Sequence, residues 1–400
     1  MMLRVAATFL VMVALLLQLN ADALCPANGS PFSVYITVNG EENVPSSVFA
    51  YDTNGRYLGT VFKNSSLPHG VILQKLRGMK LGPKGELWVA SSRGKDSQIA
   101  IFSSKINHDC TRDYSRVFVK RDRVHNPLMK HPYDFVIDEH DGIVYVSNQN
   151  SGVVSRYHLS NGQPVAPLPG VRQVPGAFLS EQNDLGYHLV SCRGMALAGK
   201  YLLVADVAHS EVHVFHTSTG KVEWEYDHRI ISPIQLVMAP KTLDGHQPHH
   251  FYATTKANGV GVYKAELTPN GAVVPLVQGN FEATSGIAPF GSHQMLVADR
   301  LADKLYIYRD DGLLLGMLTG RRTQLPDHPE FVAVVKVVDM NAAPWCHEHD
   351  NIGYKVTALC LGIAFWILLG IVVVTFAVIR QMIIWFRWRV MRARRSRLRD

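Results

Sequence analysis

The 400-residue sequence predicts an all-β fold, a six-bladed β-propeller closed by its N- and C-terminal strands, followed by one C-terminal transmembrane helix. Three observations predict it. A strand pattern recurs six times at a nearly constant interval. The intact recurrences carry four antiparallel strands each, which is the content of a propeller blade. The first recurrence lacks an opening strand, and "HPEFVAVV" at 328–335 is an opening strand with no successors.

The chain begins with Arg4, an apolar run over 5–19, and Ala21-Asp22-Ala23, which has the small-x-small form of a cleavage site. The run is shorter than the roughly 20 residues of a spanning helix, so residues 1–23 are read as a secretory signal peptide. The first recurrence, "FSVYITVNGEENVPSSVFAYDTNG" from Phe32, supplies strands two to four of a blade. Complete units then open on "RGMKLGP" (Arg77), "HPYDFVID" (His131), "RGMALAG" (Arg193), "SPIQLVMA" (Ser232) and "SGIAPFG" (Ser285). Second strands follow as "GELWVASS", "GIVYVSNQ", "KYLLVADV", "HHFYATT" and "QMLVADR", short runs rich in valine, leucine and aromatics. Third strands end near the aromatics Tyr51, Phe102, Tyr157, Phe215, Tyr263 and Tyr308, which lie 51, 55, 58, 48 and 45 residues apart by subtraction. Gly55, Gly162, Gly220 and Gly312 follow four of them, where a hairpin needs positive φ. Joining "HPEFVAVV" to the first recurrence completes the sixth blade and removes the two sheet edges of an open arc.

Residues 24–350 thus form the expected propeller ectodomain. Residues 351–380 contain an uncharged stretch, 356–379, bounded by Lys355 and Arg380 and long enough to cross a bilayer. From Arg380 to the end the chain carries eight arginines and one acid, a net +7, equal to the +7 of the whole chain. The remaining residues are therefore near neutral, so the basic balance reports the tail and gives no sign of nucleic-acid binding by the folded part, for which no nucleic-acid partner is expected. Residues 381–400 are read as a cytosolic tail under the positive-inside rule, giving a single-pass type I protein of the plasma membrane or a secretory-pathway membrane. Trp385, Phe386 and Trp388 between arginines suit an anionic inner leaflet.

Outside the span lie Cys25, Cys110, Cys192 and Cys346, an even number in an oxidising compartment. Of the three pairings of four cysteines, ring closure favours Cys25–Cys346 with Cys110–Cys192. Asn64-Ser-Ser and Asn28-Gly-Ser fit the N-glycan pattern, the latter weakened by Pro31.

The units "HPYDFVIDEHDGIVYVSNQNSGVVSRYHLSNG" and "SGIAPFGSHQMLVADRLADKLYIYRDDG" resemble NHL-repeat and related six-bladed propellers, and the likeness covers 32–338. The aspartate after Val-Ala recurs only at Asp206 and Asp299. The resemblance extends to a peptide-amidating lyase domain with a histidine-held zinc, and to lactonase-like and strictosidine-synthase-like propellers with a central metal. It implies the architecture well and the activity poorly.

In such a fold the first-strand starts crowd one mouth of the channel. In ring order they are His328, Arg77, His131, Arg193, Ser232 with Gln235, and Ser285. Three readings follow. His131, His328 and Glu330 are candidate ligands for a divalent metal, zinc or calcium, as a metal-dependent enzyme would need, although no third histidine occupies an equivalent start. Arg77 and Arg193, with Gln235, are candidate ligand-binding residues for an anion on a protein, a glycan or a small molecule. Alternatively these residues join the blades. "HQPHHF" (His246, His249, His250) reads as a solvated loop and His213 as ordinary strand patterning. The chain has no nucleophile elbow, P-loop or His-Glu-x-x-His motif.

Overall fold

The computed structural model describes residues 32–336, except 39–45, 108, 172–173, 180–187, 241–248, 258, 292 and 319–327, together with Ile383 and Trp385. The chain divides into Met1–Val337 and Val338–Asp400. In the second unit the described Ile383 and Trp385 are helical and about half exposed. Among the described residues no helix is long and apolar enough to cross a membrane. The expected signal peptide, the span at 351–380, Asn28, Cys25, Cys346 and His246 lie outside the described residues.

Strands β1 (Phe32–Val38), β2 (Ser47–Asp52) and β3 (Tyr57–Thr60) come first. Blade 2 is β4 (Leu76–Leu81), β5 (Leu87–Ser91), β6 (Gln98–Phe102) and β7 (Tyr114–Lys120). Blade 3 is β8 (Pro132–Asp138), β9 (Ile143–Asn148), β10 (Val153–His158) and β11 (Ala177–Leu179). Blade 4 is β12 (Cys192–Ala198), β13 (Tyr201–Asp206), β14 (Glu211–His216) and β15 (Val222–Glu225). Blade 5 is β16 (Pro233–Met238), β17 (His250–Thr255), β18 (Val260–Glu266) and β19 (Val273–Gln278). Blade 6 is β20 (Thr284–Phe290), β21 (Gln294–Asp299), β22 (Lys304–Arg309) and β23 (Leu314–Met317). The last strand, β24 (Pro329–Lys336), pairs antiparallel with β1, placing Phe331 opposite Thr37 and Ala333 opposite Tyr35. The order β24-β1-β2-β3 makes this sheet blade 1, built from both ends of the described propeller.

Six apolar clusters each join one pair of neighbouring blades, which is why every strand buries both faces near the channel. Val34, Ile36 and Tyr51 of blade 1 pack with Ala288, Leu296 and Ala298 of blade 6, so the seam is as apolar as the other joints. Closure follows from that continuity, because an unmatched blade face would expose a comparable apolar area. The hairpin glycines take the expected positive φ, and two of them also let blades approach. A Cβ at Gly162 would lie 2.2 Å from the Phe118 carbonyl oxygen, and one at Gly312 would lie 2.2 Å from that of Leu276.

Candidate functional site

Every innermost strand carries a β-bulge near its start. The ladders slip between Leu76 and Met79, Pro132 and Asp134, Cys192 and Met195, Pro233 and Leu236, and Thr284 and Ile287, and β24 slips where Val38 meets Pro329. A bulge turns a side chain out of the ladder, and bulges recur beside binding sites for that reason. Aligned on the bulge, the first position round the ring reads Glu330, Arg77, Tyr133, Arg193, Ile234 and Ser285. The second reads Phe331, Gly78, Asp134, Gly194, Gln235 and Gly286.

A second tier stands outside the first. The backbone N–H groups of Ser92, Gln149, Val207, Lys256 and Arg300 donate to the carbonyls of Lys75, His131, Ser191, Ser232 and Ala283, at 3.2, 3.1, 3.2, 3.1 and 2.7 Å. This repeated bond places each residue after a second strand beside the start of its own innermost strand. Four of the residues just before the innermost strands, Lys75, His131, Ser232 and His328, hold φ of 51°, 56°, 47° and 61°. Side-chain-bearing residues adopt that region at a cost, and a concentration of them at one mouth is typical of a binding surface.

The mouth is cationic. Arg77, 9 % exposed, reaches Glu330, 3 % exposed, at 3.0 Å, and Arg300 Nε lies 2.9 Å from the same carboxylate oxygen. The Arg77 and Arg193 guanidinium carbons lie 5.8 and 5.2 Å from the centroid of the buried Tyr133 ring, within cation–π range. Burial, followed by Arg77, Lys75 and Arg193, pushes the His131 pKa down to about 4, so the ring is neutral at pH 7. Burial and then Arg193 and Arg300 also lower the Lys256 pKa, with Glu330 opposing them. Four cations, Arg77, Arg193, Lys256 and Arg300, thus share one carboxylate, Glu330, and the exposed Lys75 adds to the field at His131. Neighbouring acids are already engaged. Asp206 accepts from Val190, Ser191 and Ala208 backbone N–H groups, Asp299 from Glu282 and Ala283, and Asp303 from His328. Arg77 Nε, Arg193 Nε, Arg300 Nε and His131 Nε2 are buried without hydrogen-bond partners among the described residues, Arg300 Nε meeting Glu330 as an ion pair. Below them Tyr133, Ile234 and Phe331 pack together, all at most 3 % exposed, and give the mouth an apolar floor.

The structure does not gather the candidate metal ligands His131, His328 and Glu330 into one cluster. Among the described residues the one group with three ligand atoms within 4.8 Å of one another is Glu211, Asp227 and His228, and His131, His328 and Glu330 form no such group. Glu330 is instead the counter-ion of two arginines, and the cations around His131 would repel a zinc or calcium ion. Gln235 is 3 % exposed and its Oε1 accepts from the Ile287 N–H at 2.8 Å, joining blades 5 and 6. Arg77 and Arg193 are at the mouth as expected. Ser285 is committed elsewhere, its Oγ donating to the Pro329 carbonyl at 2.7 Å.

The expected Cys110–Cys192 bridge is absent. Cys192 is a free buried thiol whose Sγ lies 3.4 Å from the carbonyls of Asn148 and Val153, and burial pushes its pKa up to about 12. Cys110 is disulfide-bonded, so its partner is a different cysteine. The pairing failed because Cys192 sits at the start of an innermost strand, enclosed between blades 3 and 4. Asn64 is exposed in the 3-10 turn Asn64–Ser66.

Tyr133, Lys256 and Arg300 escaped the sequence reading. The repeat aligns His131 rather than Tyr133 with Arg77 and Arg193, and only the bulge brings Tyr133 to their position. Arg300 and Lys256 directly follow "VAD" and "ATT", a position the repeat marks once the ends of second strands are aligned.

No protein-family model matches the sequence, and no curated protein matches it. Solved structures do resemble the fold. A chain of a nidogen/laminin complex superposes with TM-score 0.53 at 8 % identity, over 77 % of this chain and 99 % of that one. A putative 6-phosphogluconolactonase from Bacteroides fragilis gives 0.49 at 11 % identity, over 77 % and 98 %. A periplasmic gluconolactonase from Pseudomonas aeruginosa gives 0.47 at 14 % identity, over 77 % and 85 %. At these identities the likeness is one of fold, and the chain is a six-bladed propeller.

Proposed function

We propose that the protein is an NHL-repeat-like propeller, tethered by a single span at 351–380 with residues 24–350 outside the cytosol, that binds an anionic group of a protein, glycan or small molecule at its channel mouth. The observation that carries this reading is the set of four cations sharing one carboxylate, with three buried guanidinium Nε atoms left without hydrogen-bond partners among the described residues. A guanidinium in a partly desolvated site binds a carboxylate or phosphate with charge-assisted hydrogen bonds worth more than neutral ones. The bulges hold these groups on rigid strands, so little conformational entropy is lost when a ligand arrives. A leader at 1–23, the arginine-rich tail at 381–400 and an accessible Asn64 support display on a secretory-pathway membrane or at the cell surface, with a glycan at Asn64.

Calorimetric titration of full-length protein in neutral detergent with sodium acetate and sodium phosphate tests the reading. Wild type is expected to bind at least one of them, and Arg193→Ala to weaken that binding by about tenfold, the loss of one charge-assisted contact, with an unchanged melting temperature. Wild-type protein that binds neither anion would overturn it.

A further inference from the structure

We infer that Glu330 sets the charge of the ligand: it serves as a built-in counter-ion for Arg77 and Arg300, leaving Arg193 and Lys256 to receive a single external carboxylate. This rests on the mouth being an anion site and goes on to say which anion. Glu330 comes from the closing strand, and its bulge delivers a 3 %-exposed carboxylate between guanidiniums of blades 2 and 6. Two of the four cations are thereby neutralised in part before any ligand arrives. Arg193 differs: like Arg77 it stacks on Tyr133 and has a buried Nε without a hydrogen-bond partner, but no carboxylate pairs with it among the described residues. Lys256, from the next blade, holds its backbone N–H on the Ser232 carbonyl at 3.1 Å and lies within the field of Arg193.

The charge available to a newcomer is therefore small, and its location is off-centre. A monoanion placed against Arg193 and Lys256 meets two cations, while the charge of Glu330 is shared by Arg77 and Arg300. A dianion of phosphate type needs a third cation, and Arg77 and Arg300, the nearest to serve, are held by Glu330. Like charges brought together at low dielectric repel by several kcal/mol, so Glu330 excludes the second negative charge. The floor beneath, Ile234 with Val207 and Tyr133, suits the apolar substituent of a monocarboxylate.

The test uses full-length protein in neutral detergent, with acetate and inorganic phosphate as probes and with wild type, Glu330→Gln and Arg300→Gln as proteins. Glutamine keeps the shape of glutamate without its charge. Wild type is expected to prefer acetate, and Glu330→Gln to bind phosphate about tenfold more tightly than wild type does while acetate changes by less than about threefold. Arg300→Gln leaves the Glu330 charge shared with Arg77 alone, so it is expected to weaken phosphate binding more than acetate binding, and it serves should Glu330→Gln fail to fold. Phosphate binding that is equal in wild type and Glu330→Gln, or acetate binding weakened in Arg300→Gln as much as phosphate binding, would overturn the inference while leaving the mouth an anion site. Wild type that binds neither probe would overturn both.

Discussion

Arg77 and Arg193 stand at equivalent bulges two blades apart, and both lean on the Tyr133 ring between them. Their difference lies in the neighbour beyond: Arg77 meets Glu330, whereas Arg193 meets Ile234 in ring order. One arginine is thus a structural ion pair and the other a vacant donor, though the sequence gives both the same "RGM". His131, beside them, is a neutral imidazole kept so by burial and by cations. Its folded pKa, about 4, lies below the ordinary 6.5, so the unfolded chain binds the proton more readily between those values. Stability contributed by the neutral ring is present above pH 6.5 and is lost as the pH falls towards 4. Discounted for the ring's partial exposure, the loss is about 1 kcal/mol. Thermal melts of wild type and His131→Gln across that range should therefore converge at acid pH, and parallel curves would contradict the assignment.

At the scale of the innermost strand, the second bulge position alternates glycine with a larger residue. Gly78, Gly194 and Gly286 occupy blades 2, 4 and 6, and Asp134, Gln235 and Phe331 occupy blades 3, 5 and 1. The reason is steric. A Cβ on Gly194 would lie 2.4 Å from Gln235 Cα, and one on Gly78 would lie 2.9 Å from Asp134 Cα. The larger residues donate their backbone N–H to Ser147, Thr254 and Thr37 hydroxyls, each at 3.0 Å. Two of those hydroxyls pass the bond on to the next blade, to the carbonyls of Arg193 and Ser285. Because the obstacle to a side chain at 194 is backbone rather than a movable tip, Gly194→Ala is expected to destabilise by about 3 kcal/mol, measured as a lowered midpoint of thermal or urea unfolding. Strand positions and hairpin turns were legible from repeat spacing alone, since each depends on local propensity and turn chemistry. The bulges were not, because each lies within a few residues of a strand start, and the shift that one extra residue makes in the alternation has too few positions before it to be read.

Across the whole molecule, β24 performs two tasks at once: it completes the seam of the ring and inserts Glu330 and Phe331 into the channel. Phe331 is 1 % exposed and stands 5.4 Å, ring centroid to ring centroid, from Tyr133. Truncation should leave a cavity where blade 1 meets the floor, so Phe331→Ala is expected to cost about 3–4 kcal/mol and to weaken anion binding by loosening Tyr133. Calorimetric unfolding together with acetate titration of the same variant checks both effects, and an unchanged melting temperature would contradict the seam's role.

The sequence by itself determined the six blades, their four strands and the closing partnership of 328–335 with the first recurrence, because periodic burial and glycine turns are local signals repeated along the chain. It also placed Arg77 and Arg193 at the mouth. Only the tertiary structure decided that Glu330 belongs to arginines rather than to histidines, that Cys192 is an enclosed thiol, and that Tyr133, Lys256 and Arg300 complete the site. Those outcomes depend on which residues of different blades meet across the channel, and that is set by bulge register and blade packing, which no local pattern encodes.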